Sequence, residues 1–212
     1  NKNDFPPNLL FADFKQHRGR GTHYVRMHIP VLQKEVIQYL DPKPNENFID
    51  ATVGGGGHSL EILKMIEPRG KLLGIDWSDE MIRDLKSKIQ NPKSKNRVIL
   101  VCDNFANIGE IVKQNKFNKV NGILFDLGYS SWHLEESGRG FSFQKKEPLD
   151  MRYNTQNQLT AEKIVNFWSK FEIERILQEY GEERFARNIA AHVVEERKIR
   201  PIQNTLQLVE LV

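Results

Sequence analysis

The chain has 212 residues, with 31 lysines and arginines against 28 acids and a formal net charge of +3; this suits one large domain or a domain with an insertion, and permits nucleic-acid binding without demanding it. A mean hydropathy of −0.56, with no apolar run near the ~20 residues of a membrane span, argues for a soluble chain with no membrane partner. A single cysteine, Cys102, excludes an intrachain disulfide and a cysteine zinc cluster, and with a polar N-terminal stretch that lacks a leader it favours a cytoplasmic setting.

Residues 1–27 are polar and basic, with the cluster His17-Arg18-Gly19-Arg20-Gly21-Thr22-His23-Tyr24-Val25-Arg26. They read as an RNA-contacting arm, since charge and stacking rings occur together, or as a solvated extension. Val31 to Leu40 has helical spacing and is stopped by Asp41-Pro42-Lys43-Pro44. Phe48 to Val53 predicts a first strand, which runs into Gly54-Gly55-Gly56-Gly57-His58-Ser59. A helix over Ser59 to Ile66 and a strand over Lys71 to Asp76 follow. Ser78 is the expected cap of the next helix, whose face is Met81, Ile82, Leu85 and Ile89. Arg97 to Cys102 predicts a third strand, and its unbroken Val98-Ile99-Leu100-Val101 predicts cover on both faces. Ile108 to Val112 begins a third helix. Val120 to Leu127 predicts a fourth strand, ending in Asp126-Leu127-Gly128. Tyr129 to Asn157 has few periodic apolar residues and reads as irregular. Helices are then expected over Ala161–Phe171, Glu172–Tyr180, Phe185–Arg197 and Thr205–Val212.

Strands that alternate with helices predict a parallel α/β sheet, and such sheets bind ligands at the carboxyl ends of their strands. Asp50, Asp76, Asp103 and Asp126 fall at or near those ends. One of the four is expected to be only a helix cap, and Asp103 is the candidate. The glycine cluster after the first strand lets the backbone approach a ligand closely. It lacks the third glycine of a dinucleotide fingerprint, where Ser59 stands, and it lacks the Gly-Lys-Ser/Thr of a phosphate loop. The loop therefore suits a ligand with a ribose but no pyrophosphate, such as S-adenosylmethionine, with Asp76 placed to accept from the ribose hydroxyls. The plain alternative is a glycine-rich turn that holds no ligand. No metal-ligating set is assigned.

Six motifs then stand in order: His28-Ile29-Pro30-Val31-Leu32, Gly54 to Ser59, Asp126-Leu127-Gly128-Tyr129-Ser130-Ser131, Arg139-Gly140-Phe141-Ser142-Phe143, Pro148-Leu149-Asp150-Met151-Arg152, and Tyr180-Gly181-Glu182-Glu183-Arg184-Phe185-Ala186. Together they closely resemble the RsmH/MraW family of bacterial small-subunit (16S) rRNA cytosine-N4 methyltransferases. The resemblance runs from about His28 to the end of the chain. It implies a Rossmann-like methyltransferase sheet over 28–152, an inserted all-helical domain over 153–212, and a basic extension over 1–27. It implies methyl transfer from S-adenosylmethionine to a cytosine amine in the decoding region of 16S rRNA, within the small ribosomal subunit. The cofactor positions that it implies are Gly56, Gly57, His58, Asp76, Phe105, Asp126 and His133, to which the glycine turn adds Gly54. The family usually has glutamine where this chain has His133. Family members also continue further and supply the remaining strands of the sheet, so this chain is expected to be a fragment whose fourth strand lies at an open edge.

On that reading Asp126 contacts the cofactor or the target amine, and Tyr129 stacks the extruded base or packs beside the sheet. Phe105 stacks the adenine. His58 shapes the loop or donates to the cofactor, and Asp50 orients the loop or the methionine amine. Arg139, Lys145, Lys146 and Arg152 are expected to meet rRNA phosphates or to form an ordinary solvated loop. Three other functions compete: methylation of another nucleic acid, RNA binding without catalysis, and nicotinamide chemistry, which the missing third glycine disfavours.

Overall fold

The computed structural model describes residues 30–89 and 91–212. The basic extension over 1–27 and the His28-Ile29 half of the first motif lie outside the described residues. Helix α1 (Gln33–Leu40) leads into β1 (Asn47–Asp50), α2 (Gly57–Met65), β2 (Leu72–Asp76), α3 (Asp79–Lys88), α4 (Pro92–Lys95), β3 (Val98–Cys102), α5 (Ile108–Gln114) and β4 (Val120–Leu124). The strands form one parallel sheet in the order β3-β2-β1-β4. The chain thus winds outward through β1, β2 and β3, then returns to place β4 on the other side of β1. That reversal leaves a crevice at the carboxyl end of β1, where open α/β sheets take their ligands.

The alternation of side chains along β1 builds two cores. Phe48 points to one face and packs with Ile62, Leu63, Ile66, Leu72 and Leu124. Ile49 points to the other and meets Leu73, Ile75, Ile111 and Phe117. Both residues are 1% exposed, so the central strand is covered on both sides by helices. A third cluster, Val53, Leu85 and Ile89, holds α3 against the loop that follows β1.

β3 is an edge strand and Val98 to Val101 are half-buried, yet both faces carry packing, as its unbroken apolar run predicts: Val98 and Leu100 lie against the Val53, Leu85 and Ile89 cluster, and Ile99 and Val101 against that of Ile75 and Ile111. Two strand ends need correction. β1 ends at Asp50, not at Val53, although Ala51 N–H still donates to the Leu124 carbonyl and Val53 N–H to that of Ile75. β4 ends at Leu124, not at Leu127, because Asp126 N–H turns to the Thr52 hydroxyl at 2.7 Å. β4 is the other edge of the sheet, as expected, and Ile123, Phe125 and Leu127 are 44%, 46% and 70% exposed.

Beyond β4 the chain forms the short helix α6 (Ser131–Glu135) within the stretch expected to be irregular. It then forms α7 (Ala161–Phe167), α8 (Lys170–Glu179), α9 (Ala186–Ile199) and α10 (Thr205–Val209). The expected Ala161–Phe171 helix is broken at Trp168. Ser169 caps α8 in a reciprocal box with Glu172, so α8 starts earlier than its apolar spacing suggests. Leu149, Val165, Ile173, Ile189, Val193 and Ile202 form a separate core among these helices. The Asn166 side chain closes it with two bonds to the Ile202 backbone, at 2.8 and 3.0 Å.

Candidate active site

The site is built on the turn between β1 and α2. Gly54 and Gly56 have φ of 50° and 79°, in the left-handed region that glycine tolerates. A Cβ on Gly57 would sit 2.1 Å from Pro30 Cγ, so the turn is packed too tightly for any side chain there. Gly54 N–H donates to Asp76 Oδ2 at 2.8 Å, while Ser78 N–H donates to Asp76 Oδ1 at 2.8 Å. These bonds fix the carboxylate at the end of β2 and leave each oxygen with capacity to accept again. Burial pushes the Asp76 carboxyl above its ordinary value, against the pull of the amide bonds.

Asp50 lies beneath this turn and is fully buried. Its Oδ2 accepts from the Ser59 hydroxyl at 2.6 Å and its Oδ1 from Thr52 N–H at 3.2 Å. Burial raises its carboxyl to about 6, with smaller contributions from Asp76 and Asp126. It ties the first turn of α2 to β1 and does not line the cavity. Asp103, the candidate cap, accepts from Asn104 N–H and the Asn107 side chain at 2.7 and 2.9 Å. The cap of the 3-10 turn at Phe105–Asn107 is Asn104, so Asp103 braces that turn from one position earlier.

A cavity of about 570 Å³ opens over the carboxyl ends of the strands. Gly54, Gly57, His58, Asp76, Phe105, Asp126, Tyr129 and His133 all line it. Gly56 is not among its lining residues, and a Cβ there would meet Leu85 Cδ1 at 2.7 Å. Asp126 lies two residues past β4 with its side chain 46% exposed, and His58 Nε2 stands 3.7 Å from its Oδ2. Phe105 is 41% exposed and meets Phe125 edge to face at 5.7 Å.

The other wall comes from the segment after β4. His133, on α6, is 2% exposed and shares a hydrogen bond of 2.7 Å between Nδ1 and the Ser130 hydroxyl. Its Nε2 is buried and has no hydrogen-bond partner among the described residues. Burial and the nearby Arg139 lower this imidazole to about 4, so it stays neutral near pH 7. Rings gather around it, with Tyr153 at 4.4 Å and Phe141 at 5.0 Å between centroids. Tyr129, 61% exposed, meets Phe141 at 5.8 Å and Tyr153 at 6.3 Å. The sequence reading missed Tyr153, Thr52, Trp77 and Asn104 as lining residues. Thr52, Trp77 and Asn104 had a local signal, as they stand just past the ends of β1, β2 and β3; Tyr153 is placed by contacts distant in the chain.

The two arginines expected at RNA phosphates are engaged within the chain. Arg139 pairs with Glu80, donates to the carbonyls of Arg152 and Tyr153, and lies over the Trp132 ring. Arg152 forms a bidentate pair with Asp150 at 2.7 and 2.6 Å. Lys145 reaches the Glu135 carbonyl. Among the described residues, no helix is long and apolar enough to cross a membrane, and no group of three or more His, Cys, Asp or Glu side chains is arranged to hold a metal ion.

Comparison with known proteins gives a consistent family. The MraW methylase family model matches residues 25–212. Ribosomal RNA small subunit methyltransferase H of Clostridium botulinum (strain Kyoto / Type A2) is 45% identical over 185 residues, covering 87% of this chain and 59% of that protein. The protein of the same name from Acetivibrio thermocellus is 46% identical with the same coverage. That from Halothermothrix orenii is 45% identical and is covered to 58%. The chain thus spans somewhat under two thirds of the length of these relatives. A match over nearly the whole chain, on a parallel sheet with this crevice, makes the chain a member of the MraW methylase family.

Proposed function

We propose that this protein transfers a methyl group from S-adenosylmethionine to the N4 amine of a cytosine in the decoding region of 16S rRNA, acting in the cytoplasm on the small ribosomal subunit. The observation that supports this most is convergence. An acid at the end of β2, an acid past β4 and a band of aromatic rings all face one cavity. Family membership supports the reaction class, and the relatives named above support the rRNA substrate.

The residues present fit the cofactor. Asp76 keeps acceptor capacity for a ribose diol. Gly54 and Gly55 line the cavity without side chains, and Phe105 offers an exposed ring to an adenine. His58, Gly56 and Gly57 shape the turn around it, and His133 Nε2 offers one further hydrogen bond. When bound, the cofactor supplies a methyl group already activated by its sulfonium.

The chain's task is positioning and proton acceptance. A cytosine amine is a weak nucleophile because its lone pair is delocalised into the ring, so its approach must be fixed in line with the methyl group. A carboxylate oxygen of Asp126 would accept a hydrogen bond from that amine and take its proton as the N–C bond formed and the methyl carbon–sulfur bond broke, leaving the neutral thioether. Thr52 holds the Asp126 backbone, while His58 lies beside its carboxylate and the exposed side passes the proton to water. Tyr129 stacks the base once it has left its pair. The Rossmann-like part over 28–152 carries most of this site, to which Tyr153 adds a ring, and the helical part over 153–212 is an insertion whose core also takes in Leu149.

The test is transfer of labelled methyl to small subunits that lack the modification, with nucleoside analysis of the product. N4-methylcytidine that disappears with Asp126→Ala supports the proposal. Label in another nucleoside, or label that survives Asp126→Ala, overturns it.

A further inference from the structure

Tyr153 is the ring that the proposed function leaves unused. It lies on a loop far from the sheet in sequence, yet it lines the same cavity as Asp76 and Asp126. Its hydroxyl donates to the Gly128 carbonyl at 3.1 Å. Gly128 is the residue between the Asp126-Leu127 pair and Tyr129, so Tyr153 is tethered to the segment that carries the proposed proton acceptor. Its backbone is held as well. Arg139 donates to the Tyr153 carbonyl at 3.4 Å, and Arg152 is locked by Asp150 and by the carbonyls of Thr155 and Asn157. Burial pushes the Tyr153 hydroxyl up to about 12, so it remains a neutral donor.

Tyr129 stands opposite in a different state. Its ring is 61% exposed and nearly parallel to that of Tyr153, at 15° and 6.3 Å between centroids. Two rings in face contact lie about 3.4 to 4 Å apart, and a third flat ring between them needs roughly twice that. The two planes are at most 6.3 Å apart, short of that opening, so a base enters only when the exposed Tyr129 ring moves outward from the fixed Tyr153 ring. A pre-fixed aromatic ring loses little side-chain entropy when it receives a base.

We infer that Tyr153 and Tyr129 form a two-walled slot for a flat nucleobase, with Tyr153 the fixed wall and Tyr129 the movable one. The slot rests on the cytosine reading above, and names the residue that holds the base against Asp126. Stacking on one aromatic ring contributes roughly 5- to 100-fold in affinity. Tyr153 is thus a substrate-binding residue, distinct from the cofactor wall at Asp76 and Phe105.

The test uses a single-stranded RNA with one pyrrolocytosine, whose fluorescence falls when its ring is stacked. Binding of S-adenosylhomocysteine is followed by calorimetry in the same proteins. The slot predicts quenching with the unsubstituted protein and retention of most of it in Tyr153→Phe, which keeps the ring. It predicts loss of quenching and roughly 5- to 100-fold weaker RNA binding in Tyr153→Ala, with unchanged S-adenosylhomocysteine affinity. No quenching with the unsubstituted protein, full quenching in Tyr153→Ala, or a loss confined to S-adenosylhomocysteine binding overturns the slot. Methyl transfer to cytosine is scored in parallel. Its absence in the unsubstituted protein counts against the cytosine reading, whereas transfer that Tyr153→Ala leaves intact counts against the slot alone.

Discussion

The two walls of the cavity are made in different ways. The β1–α2–β2 wall is local: a strand, a glycine turn and an acid hold each other through bonds such as Gly54 N–H to Asp76, only 22 positions apart in sequence. The wall after β4 has no strand and little regular structure. It is held by side-chain clamps, of which Arg139 to Glu80 spans 59 positions. The first wall is fixed by backbone geometry and the second by side chains. The first therefore tolerates little change in shape, and the second depends on single charges and rings.

The largest expected effect lies where the walls meet. Asp126→Ala should lower the methyl-transfer rate about 10²- to 10⁴-fold, measured in single turnover, because it removes the proton acceptor. A cofactor affinity that stays unchanged would keep Asp126 on the base side of the comparison. Next comes the local wall. Gly57→Ala forces a Cβ onto Pro30 and should cost about 1 to 3 kcal/mol in denaturant unfolding, with weakened cofactor binding. The clamped wall is tested by Arg139→Gln, which leaves Glu80 and two carbonyls under-satisfied. It should cost about 1 to 2 kcal/mol in the same assay. Its signature is a loosened ring cluster, read as altered tyrosine and tryptophan fluorescence, with cofactor affinity retained.

The smallest effect is in pH, and the two walls pull in opposite directions. Asp50 has a folded value of about 6 against 3.8 for the free carboxyl. The folded chain therefore holds that proton longer, and this group lowers stability as pH rises from about 4 to 6. His133 is lowered to about 4 from 6.5. The unfolded chain binds that proton more readily, so this group raises stability over the same window and loses its contribution as pH falls. Asp50→Asn should steepen the rise of Tm between pH 4 and 6, and His133→Gln should flatten it.

The same contrast explains what was legible in the sequence. The glycine turn, Asp76 and Asp126 could be read because an apolar run that ends in glycine or acid marks a strand end by itself. The apolar run of β3 marked a strand packed on both faces, but not that it is an edge strand whose residues stay half-buried. The pairing of Arg139 with Glu80 was not legible, because nothing local links the two. For Arg152 the partner Asp150 was in view, two residues away, and composition alone did not reveal that they pair. α6 had one local signal, the Ser130 cap, which is easily lost in a polar stretch. Tyr153 had none, since its role depends on a carbonyl and a cation brought from elsewhere in the chain.

The most direct test of a cavity with two separate walls is a pair of parallel titrations, S-adenosylhomocysteine and single-stranded RNA, on Asp76→Ala and Tyr129→Ala. Removal of a charged acceptor from the first wall should weaken the cofactor analogue roughly 10- to 100-fold and leave RNA binding unchanged. Tyr129→Ala should do the reverse. If either substitution weakened both ligands to the same degree, the cavity would be a single undivided site, and the division into a cofactor wall and a base wall would be wrong.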